Sequence, residues 1–184
     1  MSLYFIALVP QDSLREQVKA FKKEIEARYQ AKHALKLPAH ITLKIPFNIR
    51  KEGEPLLIKS LQELADRIPV FDVELSGFDY FQSDVIFIKC ADHDPIIEVH
   101  NELEKVFFQK LGVKKNEVPS RFYPHMTIAS RDLSAEFFDK ARAEFKNREF
   151  HASFEAESIF LFKHNGKTWD VHRKFFFIPK VEIG

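Results

Sequence analysis

Two hydrophobic periodicities alternate along the chain. Apolar residues at steps of three or four are typical of amphipathic helices, whereas continuous or alternating apolar positions are typical of strands. The helical pattern occupies residues 14–29, 55–68, 96–111 and 137–145. The strand pattern occupies residues 3–9, 40–47, 70–75, 85–90, 122–129, 150–162 and 169–177. Strands and helices are therefore interleaved throughout the chain.

Local sequence signals predict several of the boundaries. Ser13 and Glu16 have the spacing of a capping box, which predicts that the Ser13 side chain caps the first helix. Gly77 is predicted to join the third and fourth strands. The dipeptide Asn165-Gly166 favours a tight hairpin turn between the last two strands. A polar link over residues 112–120 separates the third helix from the strand that follows.

One short motif occurs twice. The segments His40-Ile41-Thr42-Leu43 and His125-Met126-Thr127-Ile128 both read His-x-Thr-aliphatic, each in a predicted strand with a proline just upstream. One copy lies in each half of the chain, which favours a duplicated architecture with a shared cleft. A chain of 184 residues is long enough for one sizeable core or two small lobes packed together. We therefore expect one two-lobed domain over residues 1–184.

The two motifs place their polar residues on one face of each strand. Because side chains two apart in a strand point the same way, His40 and Thr42 should project together, as should His125 and Thr127. The aliphatic residues between them should pack behind. Lys44 would continue the polar face of the first strand, and Arg131 would continue the second if that strand extends so far.

This pairing suits phosphoryl transfer. Of two imidazoles, one can remove a proton from the attacking oxygen while the other donates a proton to the leaving oxygen. Two threonine hydroxyls, with nearby cations such as Lys44 and Arg131, can bind the non-bridging phosphate oxygens. A single His-x-Thr sequence is common in strands and indicates little, but two matched copies favour a catalytic site.

Composition excludes several other classes of protein. With 45% hydrophobic and 30% charged residues, the chain is in the range of ordinary globular proteins. A formal net charge of +1 is far below that of proteins that track long nucleic acid, so any nucleic-acid contact should be local. No apolar run approaches the roughly 20 residues that span a bilayer, and no signal-peptide pattern is visible. We expect a cytoplasmic monomer without membrane association.

No cofactor is expected. The chain has one cysteine, Cys90, and five glycines, with no P-loop or dinucleotide-binding loop. The other histidines lack the spacing of helical metal ligands, so no metal site is predicted. They are His33, His93, His100, His151, His164 and His172. Basic residues flank the Asn165-Gly166 turn, and both a solvated hairpin and an RNA-binding one are open interpretations.

The chain is rich in phenylalanine, with 20 Phe against 1 Trp and 4 Tyr. Most of these rings are expected to fill the core. Phe47, Phe122 and Tyr123 flank the two motifs, where a nucleotide base could instead stack on them.

The paired motifs resemble those of the 2H phosphoesterases, which include 2',5' RNA ligase-like proteins and 2',3'-cyclic nucleotide phosphodiesterases. The signature of that family is a pair of H-x-T/S-aliphatic motifs, and the resemblance extends over essentially the whole chain. It implies an α+β fold of two pseudo-symmetric lobes, each an antiparallel sheet backed by helices, with a central active-site cleft. It also implies His40 and His125 as catalytic residues and Thr42 and Thr127 as phosphate-binding residues.

The resemblance implies an enzyme that acts without a metal on 2',3'-cyclic phosphates of RNA ends or small nucleotides, and it implies 2',5' RNA ligase activity as a second activity of the same site. In hydrolysis, we expect His125 to be the base toward water and His40 the acid toward the leaving ribose oxygen. The alternative is a non-catalytic RNA-binding module of the same fold, since lobes with exposed aromatic rings can stack bases without chemistry.

Overall fold

The computed structural model describes residues 1–81, 84–112 and 122–180, which form four α-helices and eight β-strands. The helices are α1 (Asp12–Tyr29), α2 (Glu54–Ala65), α3 (Asp94–Lys110) and α4 (Ala135–Lys146). The strands are β1 (Ser2–Leu8), β2 (Ile41–Ile49), β3 (Phe71–Phe81), β4 (Val85–Cys90), β5 (His125–Ala129), β6 (His151–Ala156), β7 (Ser158–His164) and β8 (Trp169–Phe176).

All eight strands belong to one antiparallel sheet with the order β6-β3-β4-β5-β2-β1-β7-β8. The sheet consists of two four-stranded halves that meet where β2 lies beside β5. In the described part of the chain, that junction contains one residue pair, Ile41 with Met126. Strands β2 and β5, which follow α1 and α3, occupy the two inner places, and β1 and β4, which precede these helices, lie next to them, so the sheet has a pseudo-two-fold axis at the junction.

Two helices back each half of the sheet. Helices α2 and α3 pack on β8 and β2, and α1 and α4 pack on β5 and β3. We call β2, β1, β7 and β8 with α2 and α3 the first lobe, and β5, β4, β3 and β6 with α1 and α4 the second lobe. The predicted α+β fold of two pseudo-symmetric lobes is confirmed. Helix α1 directly follows a strand of the first lobe yet packs on the second, so the chain crosses between the lobes.

The core lies between the helices and the sheet. Helix α1 contributes Leu14, Val18 and Ile25, all at most 2% exposed and spaced as an amphipathic helix requires. A smaller cluster of Phe5, Ala7, Phe160 and Phe162 is buried apart from this core. No helix in the described ranges has the length and apolar character needed to cross a membrane.

Two of the predictions about element boundaries are wrong, namely the cap of the first helix and the position of Gly77. Helix α1 begins at Asp12 with Gln11 as its N-cap, and no side chain caps it. Ser13 is already inside the first turn, where its hydroxyl cannot take the N-cap position. Gly77 does not join two strands but lies within β3, where its φ of +66° accompanies a shift in the register between Leu75 and Phe78.

The tail is divided differently from the prediction. Residues 150–162, predicted as one strand, form β6 and β7 with Glu157 between them. Strand β6 pairs with β3 of the second lobe and β7 with β1 of the first. The last hairpin is closed over four residues, with the Asn165 N–H donating to the Thr168 carbonyl at 2.9 Å. Most of the predicted polar link, residues 113–120, lies outside the described residues.

A buried hydroxyl in helix α2 leads to a prediction about the stability of the protein. The Ser60 hydroxyl is buried and has no hydrogen-bond partner among the described residues. Because an unpaired buried hydroxyl is destabilising, Ser60→Ala should raise the free energy of unfolding by about 1 kcal/mol. Urea unfolding at neutral pH measures this change. A loss of more than about 1 kcal/mol would show that the hydroxyl has a stabilising partner.

Candidate active site

The junction of the two lobes brings the two His-x-Thr motifs together. Ile41 is the antiparallel partner of Met126. One residue further along that register in each direction, His40 lies opposite Thr127 and Thr42 lies opposite His125. The alternate residues Ile41, Leu43, Met126 and Ile128 are at most 1% exposed, whereas the four motif residues are half-buried. Strand β5 therefore presents His125 and Thr127 at the junction, and on the same side β2 presents Thr42 together with His40, the residue directly before the strand.

Both imidazoles are held in the same way. Nδ1 of His40 lies 2.8 Å from the carbonyl oxygen of Pro38, and Nδ1 of His125 lies 2.8 Å from that of Tyr123. Because a carbonyl oxygen can only accept, each Nδ1 carries a proton, and Nε2 of the neutral ring keeps its lone pair. Neither Nε2 bonds to a described residue. Each ring can thus accept a proton at Nε2 or, once protonated, donate one.

Aromatic rings surround both histidines. The ring of Phe5 lies 5.5 Å from that of His40. The rings of Phe81 and Phe87 lie 4.9 and 5.0 Å from that of His125. These apolar neighbours displace water, and burial lowers the pKa of His40 from 6.5 to about 4 and also lowers the pKa of His125. Both imidazoles are consequently neutral at pH 7 in the free protein.

A buried lysine stands near His40. Lys22 of α1 is 3% exposed, and its Nζ donates to the Leu37 carbonyl at 3.0 Å. Burial lowers the pKa of Lys22 to about 8, and its charge contributes to the lowered pKa of His40. The sequence-based prediction missed this residue. The sequence does carry a signal for its burial. Lys22 lies four residues after Val18 and three before Ile25, so it is on the apolar face of α1.

The two threonine hydroxyls are available to a ligand. Within the described residues, neither Thr42 nor Thr127 uses its hydroxyl in a hydrogen bond, and both side chains are half-buried on the same side of the junction.

Lys44 lies beside the site but is already paired. Its side chain is 7% exposed, and its Nζ contacts a Glu104 carboxylate oxygen at 2.7 Å and lies 4.8 Å from the Phe107 ring centre. Any interaction of Lys44 with phosphate would compete with Glu104.

The described residues contain no cluster of His, Cys, Asp or Glu side chains that could hold a metal ion.

The expectation that Arg131 continues the second polar strand is wrong. Strand β5 ends at Ala129, and Arg131 has a left-handed φ of +70°. The Arg131 N–H donates to the Asp84 carboxylate at 2.8 Å, which holds this turn. Because the backbone has left the strand, the alternation that places Thr127 on the junction no longer applies to Arg131.

The three aromatic residues proposed for stacking have different surroundings. Phe47 packs into the core, 4.7 Å from Phe107 and 5.9 Å from Tyr4. Phe122 stacks on His100 at 3.8 Å with an interplanar angle of 7°. Tyr123 makes edge contacts with Phe81 and His93 at 5.7 and 4.7 Å.

A pocket of about 200 Å³ adjoins the two strands. Phe122 and Tyr123 line it, whereas Phe47 does not. The pocket lies between Thr42 and His125 of the junction and two residues of α3, the buried His100 and the partly buried Glu104. Its lining residues are Thr42, Leu43, Lys44, Ile45, Phe81, His100, Glu104, Phe122, Tyr123 and His125.

The basic residues around the last hairpin are partly engaged within the protein. Lys163 Nζ donates to Glu54 at 2.8 Å, and Nε2 of His172 lies 2.6 Å from the other oxygen of that carboxylate. Lys174 Nζ lies 4.8 Å from the Phe160 ring centre. These interactions favour a structural role for part of this basic cluster over RNA binding.

A two-lobed α+β protein whose central strands each carry His-x-Thr has the architecture of the 2H phosphoesterases. The family model of the 2'-5' RNA ligase superfamily matches residues 10–168, and the chain belongs to this superfamily.

Related proteins and structures agree with this assignment. A protein of Halalkalibacterium halodurans that carries a provisional phosphoesterase name is 27% identical over 175 residues, covering 94% of this chain and 95% of that protein. The fold is similar to that of TT0787 of Thermus thermophilus, with a TM-score of 0.73, 20% identity and coverage of 98% and 100% of the two chains. It is also similar to that of E. coli LigT in complex with 3'-AMP, with a TM-score of 0.69, 20% identity and coverage of 96% and 98%.

The lowered pKa of His40 predicts how stability depends on pH. Because the folded state favours the neutral ring, the unfolded state binds more protons between pH 4 and 6.5. The contribution of His40 is therefore complete above pH 6.5 and is lost as the pH falls toward 4. His40→Asn, which retains a donor for the Pro38 carbonyl, should flatten the decline by up to about 1.4 kcal/mol per pH unit.

Urea unfolding across this range checks the prediction. The matched control is His151→Asn, which changes an exposed histidine of β6 and should leave the slope as in the wild type. An unchanged slope in His40→Asn would show that His40 titrates normally in the folded protein.

Proposed function

We propose that this protein is a cyclic phosphodiesterase that opens 2',3'-cyclic phosphates of RNA ends or small nucleotides by two-histidine acid–base catalysis. The observation that carries the proposal is the pair of imidazoles at the β2–β5 junction, each with Nδ1 held by a carbonyl and Nε2 free to transfer a proton. Two imidazoles supply both proton transfers that the reaction needs, so the proposed mechanism requires no metal.

In the proposed reaction, water attacks the phosphorus while one bond from phosphorus to a ribose oxygen breaks. His125 Nε2 accepts the proton of the attacking water, and protonated His40 donates its Nε2 proton to the departing ribose oxygen. The product is a ribose phosphate monoester with a free neighbouring hydroxyl. Attack by the 5'-hydroxyl of a second RNA end instead of water, with the same base and the same acid, would break the bond from phosphorus to the ribose 3' oxygen and form a 2',5' linkage, which is the proposed ligase activity.

The threonines complete the proposed site. Thr42 and Thr127 lie across the junction from the two histidines, so their hydroxyls can donate to the two non-bridging phosphate oxygens. Such hydrogen bonds strengthen as negative charge grows on these oxygens in the transition state. The anionic substrate also explains how a histidine with a lowered pKa can act as an acid, because a nearby negative charge favours the imidazolium.

The comparisons support a nucleotide substrate. E. coli LigT has been solved in complex with 3'-AMP and with phosphate. The pocket wall formed by Phe122 and Tyr123 and the Phe5 ring beside His40 are candidate surfaces for a base or ribose next to the phosphate. The proposed natural partner is accordingly an RNA terminus or a small cyclic nucleotide.

Replacement of either motif histidine tests the proposal. His40→Ala and His125→Ala should each lower turnover of a 2',3'-cyclic nucleotide by about 10²- to 10⁴-fold, the usual contribution of general acid–base catalysis. Turnover by the wild type should persist in EDTA. The assay separates the product monophosphates by chromatography, which also identifies which ribose oxygen keeps the phosphate.

His151→Ala is the matched control, since this histidine is exposed on β6, and its turnover should equal that of the wild type. Undiminished turnover in both motif variants would contradict the assignment. RNA binding without turnover, equal in the wild type and both variants, would instead indicate a non-catalytic RNA-binding module.

A further inference from the structure

One face of α3 contacts β2 and the segment that leads into β5, and so it touches both half-sites, by which we mean the His-x-Thr pair of each motif. His100, Glu104 and Phe107 are spaced at i, i+4 and i+7, so their side chains lie on one side of the helix. His100 is 8% exposed, Phe107 is 1% exposed and the Glu104 side chain is 18% exposed, so this face is largely buried. The face therefore lies against the protein interior beside the junction.

All three residues contact β2, at the last residue of its motif or just beyond it. His100 Nδ1 lies 2.8 Å from the carbonyl oxygen of Leu43, the residue that follows Thr42, and donates its proton to it. Glu104 pairs with Lys44, and the Phe107 ring lies 4.7 Å from that of Phe47. Helix α3 thus holds consecutive parts of β2, the strand that contains Thr42 and directly follows His40.

His100 also contacts the segment that leads into β5. Its ring is stacked face to face on Phe122, with ring centres 3.8 Å apart and an interplanar angle of 7°. Phe122 is three residues before His125, and the next residue, Tyr123, supplies the carbonyl that holds the His125 ring. One side chain therefore joins the backbone of the first motif strand to the approach of the second.

This connection matters because the two motif strands are weakly joined. Their ladder contains a single pair, Ile41 with Met126, within the described residues. One pair at the end of two strands fixes their separation poorly, whereas in-line phosphoryl transfer needs an acid and a base at defined places on opposite sides of one phosphorus.

We propose that His100 is a positioning residue, which sets the distance between the two half-sites by donating to Leu43 and stacking on Phe122. The inference rests on the proposed function. It also explains the residue type, since a histidine combines an N–H donor with a flat ring that fits against Phe122. His100 would act through the positions of His40 and His125 and exchange no proton with the substrate.

Two variants separate the two contacts. His100→Phe keeps a ring on Phe122 but leaves the Leu43 carbonyl without its donor, and His100→Asn keeps a donor but loses the stacking. Each should lower kcat by about 10- to 100-fold, because displacement of reacting groups by roughly 1 Å costs that much. KM should change little, and the limbs of the pH profile should keep their pKa values, since no titrating catalytic group is removed.

A double variant tests whether His100 and Phe122 act through the same contact, the stacking of their rings. Phe122→Leu removes the same stacking from the other side, so His100→Asn combined with Phe122→Leu should have the kcat of His100→Asn alone. Multiplied losses in the double variant would show that the two rings act independently and would contradict the proposal.

The control for simple destabilisation is Val99→Ala, which shortens a buried side chain of the same helix and leaves both His100 contacts in place. It should lower Tm and leave kcat per folded molecule unchanged. The proposal is overturned if His100→Phe and His100→Asn behave in the same way, with lowered Tm and unaltered kcat. Loss of one limb of the pH profile in His100→Phe would also overturn it, because His100 would then be a catalytic acid or base.

A separate readout applies if the wild type turns over no cyclic phosphate, in which case the proposed function fails. The imidazole resonances of His40 and His125 are then compared between the wild type and His100→Phe by NMR. Shifts at both rings support the positioning role, and an unshifted ring on either strand contradicts it.

Discussion

The contact between Ile41 and Met126 is the constraint on which the rest of the structure depends. It is the pair through which two four-stranded halves become one sheet, and it lies at the pseudo-two-fold axis. Because the pair is antiparallel, it sets an imidazole of one strand against a hydroxyl of the other on each side of the axis. The buried side chains of Ile41 and Met126 belong to the core at this junction, while their polar neighbours line the candidate site.

The same symmetry extends to the way in which each histidine is held. In both lobes a backbone carbonyl two residues upstream accepts the Nδ1 proton, so that Nε2 is the nitrogen without a partner among the described residues. In both lobes aromatic rings keep the imidazole in an apolar environment, which favours the neutral form. The basic side chains near the two motifs do not follow this symmetry. In addition to burial, the charge of Lys22 lowers the pKa of His40, whereas Lys44 is paired with Glu104 and Arg131 lies in a turn beyond β5.

The sequence predicted the parts of the structure that depend on local pattern. All four helices and most strands follow from periodicity, and the projection of each motif histidine together with its threonine follows from side-chain alternation. The division of residues 150–162 into β6 and β7 did not, because alternation continues through Glu157 while the strands join different lobes. The contacts of Lys22 and His100 also depend on which helix packs against which lobe. No local pattern specifies that packing, so neither residue could be placed at the site in advance.

The claim that two histidines share the acid and base roles is tested most directly by the pH dependence of kcat/KM for a 2',3'-cyclic nucleotide. In the free enzyme the pKa of His40 is about 4, and the pKa of His125 lies below 6.5. The two-histidine account predicts a bell-shaped profile with its maximum on the acid side of pH 7, because one imidazole must be protonated and the other neutral. A profile with a single limb, or one that is flat between pH 4 and 6.5, would contradict it.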